Sequence, residues 1–466
     1  MTSQSVLPRA RRLQWKKLLR RLLSRDSASP RLLMMAAVAG MLTGGVCSGF
    51  EWLLDWVVEG RKSWLLSLPF GLGWIAAALS GAVMAGAAIW LANRFAPEAG
   101  GSGIPEIEGA MEDLRPVRWQ RVLPVKFFGG LLALGSGMLL GREGPSVQIG
   151  GNVGAMVADT TKLPGDGRHA LLAAGAAAGL TAAFNAPLAA ILFVLEELRA
   201  QFRYSFVAVK AVSIAVICAT LVRYLLLGNH VVFAVPVLQT PPLEQLAAYL
   251  LLGIIAGVLG VGFNRLVEWT QNRYLAYHRG VRWRLVAVVA LFGALFGVLS
   301  LTTSGWHSGG MAFIPQWMAA NGEVTLLGAL LIWRLFGTLV CFCSGIPGGV
   351  FAPLLALGTL FGCLWAAVLH HVLPGIPWSQ ESFGLVGMSA LFAASVRAPI
   401  TGILLVTEMS NNFSLILPMM MSTLGATLVA QALGGKPLYS QILARTLRLA
   451  AWKAQSESHA TAKANT

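Results

Sequence analysis

Long apolar segments recur along the chain and are separated by short stretches rich in glycine, proline and charge. They cover roughly 32–58, 64–95, 122–140, 168–198, 204–228, 243–268, 283–302, 324–343, 351–373, 383–409 and 413–433. A segment of about 20 apolar residues is long enough to cross a bilayer as a helix. Several segments are longer than this and contain Gly or Pro, which indicates broken helices. The pattern predicts an all-α polytopic membrane protein.

The composition supports the same class. Hydrophobic residues make up 56% of the 466 residues and charged residues 12%, about half of the roughly 25% that is typical of soluble domains. A soluble core cannot bury so much apolar surface. The 52 glycines indicate helices that pack with their backbones close together.

The net charge of +15 is concentrated at the two ends of the chain. Nine Lys and Arg residues lie between Arg9 and Arg31, opposed only by Asp26, and the C-terminal tail carries five more against Glu457. Basic flanks of membrane spans mark the cytoplasmic side. We therefore expect both termini in the cytoplasm, an even number of crossings, and contact with anionic lipid rather than nucleic acid.

The sequence contains few signs of metal, disulfide or hydrolytic chemistry. The first ~30 residues are too charged for a cleavable signal peptide. The five cysteines are odd in number and lie in apolar runs, which is typical of packed thiols rather than a disulfide framework. No HExxH pair occurs, and no Ser and His form a recognisable protease motif. We expect no metal, no organic cofactor and no enzymatic activity, and an intramembrane enzyme is only a distant alternative.

An internal repeat relates the two halves of the chain. The segment 175–196 (GAAAGLTAAFNAPLAAILFVLE) aligns with 387–408 (GMSALFAASVRAPITGILLVTE), 212 positions later, and nine positions match. The matches include Pro187 with Pro399 and Glu196 with Glu408, which apolar composition alone does not explain. At an offset of 208, Gly141, Pro145 and Gly150 fall on glycine, proline and glycine of the segment 349–358. Duplicated halves with broken segments at corresponding places are typical of transporters whose site lies between the repeats.

Three Gly/Pro-rich motifs interrupt the apolar pattern. Each has a proline where the first turn of a helix would begin and a glycine that permits a sharp entry. We therefore predict three helix N-termini inside the membrane region, where unpaired amides and partial positive charge suit an anion. An anion held in this way needs no Lys or Arg and leaves easily. The motifs are Gly101-Ser102-Gly103-Ile104-Pro105, Gly141-Arg142-Glu143-Gly144-Pro145 and Gly349-Val350-Phe351-Ala352-Pro353.

These motifs, in this order and with KPLY at 436–439, resemble the CLC family of chloride channels and proton/chloride exchangers. The similarity is dense from about Arg31 to Leu449 and is greatest to the bacterial exchangers. The resemblance implies a homodimer in a bacterial inner membrane. Each subunit would contain two inverted-topology repeats, with broken helices meeting at a central anion site and one pathway per subunit. The resemblance also implies a division of the chain into a basic cytoplasmic segment 1–31, repeats 32–230 and 231–440, and a short cytoplasmic tail 441–466 without a regulatory domain.

The resemblance also implies a chloride site, residue by residue. Ser102 is similar to the family's serine that donates its hydroxyl to the central chloride, and Tyr439 to the tyrosine that donates from the opposite side. The backbone amides of Val350 and Phe351 are similar to those that complete the site. A serine at position 102 goes with chloride preference in the family.

Two carboxylates are expected to carry the proton. Glu143 is similar to the external gating glutamate, which competes with the anion when ionised and swings away when protonated. Glu197 is similar to the internal glutamate that relays protons to the cytoplasm, where channels of the family usually have an apolar residue. The residues themselves support these roles, because an ionisable group at membrane depth is expensive and usually functional.

Simpler interpretations remain open for the same residues. Glu143 alone is also compatible with an ion pair with Arg142, Ser102 with a helix N-cap, and Tyr439 with an interfacial belt. Glu197 is also compatible with an ion pair to Arg199 or Arg203, while Glu196 beside it needs its own explanation.

We expect a secondary active H⁺/Cl⁻ antiporter, useful in acid resistance as an electrical shunt. An uncoupled voltage- or pH-gated chloride channel is the alternative within the family. A membrane scaffold without transport is a further alternative from another class.

Overall fold

The computed structural model describes residues 29–163, 165–198, 206–229, 231–302, 305–319 and 323–464. Most of the basic segment 1–31 lies outside these ranges, as do Arg199 and Arg203. Within them the structure is built from α-helices and short 3₁₀ turns, with one isolated β-bridge.

The helices, in chain order, are α1 (Pro30–Ser67), α2 (Phe70–Phe95), α3 (Ile104–Met111), α4 (Trp119–Gly135), α5 (Glu143–Thr160), α6 (Gly165–Phe184), α7 (Pro187–Glu196), α8 (Phe206–Leu227), α9 (Leu246–His278), α10 (Arg282–Leu299), α11 (Ile314–Met318), α12 (Val324–Cys343), α13 (Phe351–Val372), α14 (Gln380–Val396), α15 (Pro399–Ser410), α16 (Ile416–Ala432) and α17 (Leu438–Ala464). Eight of the described helices are long and apolar enough to cross a membrane. The chain is therefore a multi-span membrane protein.

The two halves break their helices at equivalent positions. The apolar segment 168–198 is not one helix, because Asn185 adopts a positive φ of 52° and α7 starts anew at Pro187. In the second half, Arg397 has a φ of 73° and α15 starts at Pro399. Proline cannot donate the hydrogen bond that would continue the preceding helix, but it fits the first turn of the next one.

Glycine contacts bring paired helices together in both halves. The backbones of Gly150 in α5 and Gly175 in α6 touch so closely that a Cβ on either would collide with the carbonyl of the other. The same relation joins Gly358 in α13 and Gly387 in α14. These contacts let α5 and α13 lie deep in the protein, where both helices are almost wholly buried.

Candidate functional site

Backbone hydrogen bonds join the three Gly/Pro-rich motifs. Gly141 and Gly349 exchange both of their N–H···O bonds, each 2.8 Å long, and form the single β-bridge of the described residues. Gly101 donates to the carbonyl of Gly345 (2.9 Å), and Gly348 donates back to Gly101 (3.1 Å). Segments more than 200 residues apart in sequence are thus held together where α3, α5 and α13 begin.

Two glycines make this meeting point possible. Gly103 immediately precedes α3 with a left-handed φ of 84°, a conformation that glycine adopts without steric cost. A Cβ on Gly144 would lie 2.6 Å from the carbonyl oxygen of Ser102 and 2.9 Å from the Cα of Gly349. Only glycine at 144 lets the start of α5 contact both other motifs.

Ser102 and Tyr439 are buried at this centre. Their hydroxyls face each other, and neither makes a hydrogen bond of normal geometry with any described residue. Buried hydroxyls without partners are rare in folded proteins. The two hydroxyls are therefore available to donate to an anion at this centre.

Glu143 lies at the start of two helices. It is the first residue of α5, and its carboxylate lies within electrostatic reach of its own backbone N–H and of the N–H of Ala352 in the first turn of α13. The side chain is 1% exposed. A carboxylate thus takes the place that the helix termini would offer to an anion.

Arg142 does not pair with Glu143. Its guanidinium binds Glu51 of α1 at 2.9 Å, and Arg223 lies 3.7 Å from the same carboxylate. A cavity of about 260 Å³ opens beside Arg142 and Glu143. The Glu143 carboxylate therefore stands at the inner wall of an entrance without a bound counter-ion among the described residues.

Val350 and Phe351 form the start of α13 and are fully buried. The Phe351 ring packs against Phe184, Phe193 and Phe392, with ring centroids 5.0, 6.2 and 4.5 Å away. These contacts fix the first turn of α13, and with it the direction in which its free amides point.

Glu197 directly follows α7 and is 8% exposed. It interacts electrostatically with Glu108, while Tyr439 interacts electrostatically with both Glu197 and Glu143. The tyrosine is thus within electrostatic range of both carboxylates singled out from the sequence. The predicted roles of these side chains stay predictions at this point.

Two residues that the sequence did not single out as site residues support the Ser102 loop. Lys126 is completely buried, and its ammonium donates to the carbonyls of Ala99 (3.0 Å) and Gly101 (2.7 Å). The Gln148 amide donates to the carbonyl of Glu98 (2.7 Å). Both donors fix the chain before α3. Lys126 is marked in the sequence only as a charge within the apolar segment 122–140, and Gln148 has no such signal.

Residues 81–431 match the sequence model of a family described as "Voltage gated chloride channel". The chain belongs to this family. It is 52% identical to the H(+)/Cl(-) exchange transporter ClcA of Vibrio parahaemolyticus, over 91% of this chain and 92% of the relative. It is 51% identical to the protein of the same name from Yersinia pseudotuberculosis, over 92% and 91%.

Solved structures agree with the family assignment. A slow cyanobacterial Cl-/H+ antiporter superposes with a TM-score of 0.85 at 36% identity, covering 91% of this chain and 99% of the other. A CLC-type fluoride/proton antiporter shares the fold, with a TM-score of 0.71 at 20% identity over 88% and 96% of the two chains. The predicted family and all-α membrane fold are confirmed, and the family is not one of enzymes.

The contacts of Glu196 explain why a glutamate stands at this position in both repeats, which membership of the family does not. The Glu196 carboxylate, at the end of α7, accepts from the backbone N–H groups of Ile400 (3.1 Å) and Thr401 (2.6 Å) at the start of α15. Glu408 in α15 returns the contact and accepts from Leu188 (3.1 Å) and Ala189 (2.8 Å) at the start of α7. The matched glutamates of the repeat therefore cap each other's helices.

Replacing Glu408 with Ala is expected to destabilise the protein by about 1–2 kcal/mol, because a capping carboxylate is lost and two amides are left without an acceptor. Thermal unfolding of the purified protein in detergent measures the change. Glu408→Gln keeps one acceptor oxygen and should recover part of the loss. Equal unfolding temperatures for wild type and Glu408→Ala would show that the cap contributes nothing.

Proposed function

We propose that the chain is a secondary active H⁺/Cl⁻ antiporter, in which chloride crosses the membrane one way while protons cross the other. The observation that carries the proposal is the position of Glu143. Its carboxylate lies beside an amide of α13 that would otherwise face an anion, so an ionised Glu143 and a chloride ion compete for one site. The proposal agrees with the names of the exchange transporters and antiporter to which the chain is similar.

Chloride is bound by neutral donors in this proposal. The hydroxyls of Ser102 and Tyr439 and the amides of Val350 and Phe351 supply hydrogen bonds, and the starts of α3, α5 and α13 supply partial positive charge. A weakly held anion exchanges fast enough for transport. When chloride leaves, ionised Glu143 takes its place; when Glu143 is protonated, it gives up the amide and chloride enters.

Glu197 completes the proton route and favours exchange over passive conduction. It is a second buried carboxylate, and Tyr439 lies within electrostatic range of both it and Glu143. A channel that conducts only chloride has no use for a buried acid at this place, and burying one is costly. The uncoupled channel remains the alternative.

We place the protein in a bacterial inner membrane with both termini in the cytoplasm, following the basic flanks of the spans. The proposed division is a basic segment 1–31, repeats 32–230 and 231–440, and a tail 441–466, most of which lies in α17. Chloride–proton exchange moves net charge, so it suits a role in acid resistance as an electrical shunt. No cofactor is needed in this scheme.

The test is chloride-driven proton movement. Purified protein is reconstituted into liposomes loaded with high chloride and diluted into low chloride, and external pH is recorded. We expect outward chloride movement to drive proton uptake even though no pH gradient is present at the start. Chloride efflux without any proton uptake would establish the channel instead.

The homodimer is also a proposal, and one face of the subunit supports it. α7 and α15 have 10 and 12 residues, too few to span a bilayer, yet their first turns carry exposed Leu188 (57%) and Ile400 (52%). Helix ends at membrane depth need protein around them. A second copy related by a two-fold axis would cover this face.

A cysteine at Ile400 is expected to cross-link two subunits. The reason is that residues near a two-fold axis meet their own copies. Leu79→Cys is the matched control, since Leu79 is 62% exposed on α2, away from α7 and α15. After treatment with a short bifunctional thiol reagent, a dimer band should form with Ile400→Cys and not with Leu79→Cys. Equal cross-linking of both variants would refute this interface.

A further inference from the structure

A second cavity of about 400 Å³ adjoins the entrance that leads to Glu143. The two cavities share parts of their walls, formed by Val58, Leu134, Ser308 and Ala312. Both lie at the end of α1, which faces the outside in the proposed orientation. The second cavity contains neither Glu143 nor any other residue of the proposed chloride site.

Its charged lining is mainly basic. Arg61 and Lys62 come from α1, His307 comes from the loop before α11, and Glu59 is the one carboxylate among the lining residues. Neither Arg61 nor Lys62 forms an ion pair with a described residue. The Arg61 guanidinium is held instead by neutral acceptors: the carbonyls of Ser136 (3.3 Å) and Gly297 (3.4 Å) and the hydroxyl of Ser300. Its charge is therefore fixed in place but not neutralised.

The loop that carries His307 is held rigidly by another cation. Arg334 of α12 is completely buried, and it donates to the carbonyls of Gly305 (2.6 Å), His307 (3.3 Å) and Ser308 (2.9 Å). The N–H of Ser308 donates to the carbonyl of Gly137 (2.9 Å). The His307 ring packs edge-on against Phe313 at 5.3 Å. The imidazole is thus preorganised at the cavity wall.

We propose that this cavity is a second site for a small monovalent anion, chloride in the present case, and that protonation of His307 strengthens it. The site loads chloride beside the entrance when the external medium is acid. The amide of Gln316 also lines it and can donate a neutral hydrogen bond, whereas the hydroxyls of Ser300 and Thr302 donate to the carbonyls of Gly297 and Leu299. The inference rests on the proposed function for its orientation and for chloride as the transported ion.

The charges that face His307 explain why anion and proton binding are linked. Burial, with the positive charges of Arg334, Arg61 and Lys62, lowers the pKa of His307 to about 4, while a hydrogen bond to the backbone of Thr302 opposes the shift. Glu59 is the acid on the same cavity. The imidazole is thus neutral near pH 7 and gains charge as the pH falls toward 4. An anion in the cavity offsets the neighbouring cations and raises this pKa, and by reciprocity the proton raises anion affinity.

The experiment uses the Glu143→Gln background, where the gating carboxylate no longer titrates. Chloride flux into proteoliposomes is measured as a function of external chloride at external pH 7 and pH 4. We expect the apparent dissociation constant for external chloride to fall by at least about fivefold at pH 4. Adding His307→Ala should remove this dependence. Adding His370→Ala should leave it intact, because His370 is an exposed histidine at the end of α13 that lines neither cavity.

Two further measurements test the second anion site. Lys62 is exposed, so Lys62→Glu should fold normally and weaken chloride binding at both pH values. The NMR titration of His307, identified by its loss in His307→Ala, should move to higher pH when gluconate is replaced by chloride. An unchanged pH response in His307→Ala, with an unmoved titration, would overturn the second site. Continued proton coupling in Glu143→Gln would instead contradict the proposed transport mechanism, and the NMR titration still tests the cavity in that case.

Discussion

Replacing Glu143 with Gln is expected to reduce chloride-driven proton uptake to the level of protein-free liposomes, while chloride flux continues. Glutamine has nearly the shape of the carboxylate but carries no charge and no transferable proton. It competes poorly for the amides at the start of α13 and cannot deliver a proton to the entrance. The measurement is parallel recording of proton uptake and chloride efflux from the same proteoliposomes.

Glu244→Gln is the matched control, because Glu244 is an exposed carboxylate outside the site. It should retain wild-type coupling. If Glu143→Gln keeps the same number of protons per chloride as wild type, the gating role of Glu143 is wrong.

Replacing Glu197 with Gln is expected to cause the second large effect, with proton uptake lost or strongly reduced and chloride flux retained. The side chain is buried near Glu108 and Tyr439, so no exposed carboxylate can take over its proton. Chloride still meets Ser102, Tyr439 and the helix ends, which the substitution leaves in place. Coupled proton and chloride fluxes measure the outcome.

Glu268→Gln serves as the control for this variant, since Glu268 is a partly exposed carboxylate of α9 that pairs with Arg448. Its coupling should stay that of wild type. Undiminished proton uptake in Glu197→Gln would mean that the carboxylate is only structural, as in the ion-pair interpretation with Arg199 or Arg203.

The sequence predicted those features of the backbone that a single proline or glycine determines locally. Gly and Pro within the long apolar segments predicted broken helices, and the three Gly/Pro-rich motifs predicted the starts of α3, α5 and α13. The 212-residue repeat predicted that the halves would be alike, and both do break at Asn185 and Arg397. In each case the steric limits of proline or glycine determine the backbone without help from distant contacts.

The sequence was silent where the structure depends on contacts between distant segments. The repeat aligns Gly141 with Gly349 but does not indicate that the two pair, and no sequence pattern links Glu196 to the amides of α15. The repeat did mark Glu196 and Glu408 as a matched pair, but the exchange of caps requires the two helices to lie side by side in opposite directions. Lys126 and Arg334 are likewise isolated charges in apolar segments of the sequence. Only the structure shows the backbone carbonyls to which they donate.

In the proposed mechanism, exchange comes from an asymmetry between the two halves. Both place a helix N-terminus at the centre, but α5 begins with Glu143 and α13 begins with Phe351. In the same way, Met409 stands at the position that corresponds to Glu197 in the second repeat. Each carboxylate of the proposed proton route therefore has an apolar counterpart, which leaves one half to move protons while both halves present amides to chloride.

The reversal potential of the purified protein in planar bilayers tests this account most directly. With equal chloride on both sides and a pH gradient across the membrane, tightly coupled exchange predicts a reversal potential that differs from zero and grows with the gradient. Glu143→Gln should return the potential to zero under the same conditions. A wild-type potential of zero, determined by chloride alone at every pH gradient, would contradict coupled exchange and establish an uncoupled chloride pathway.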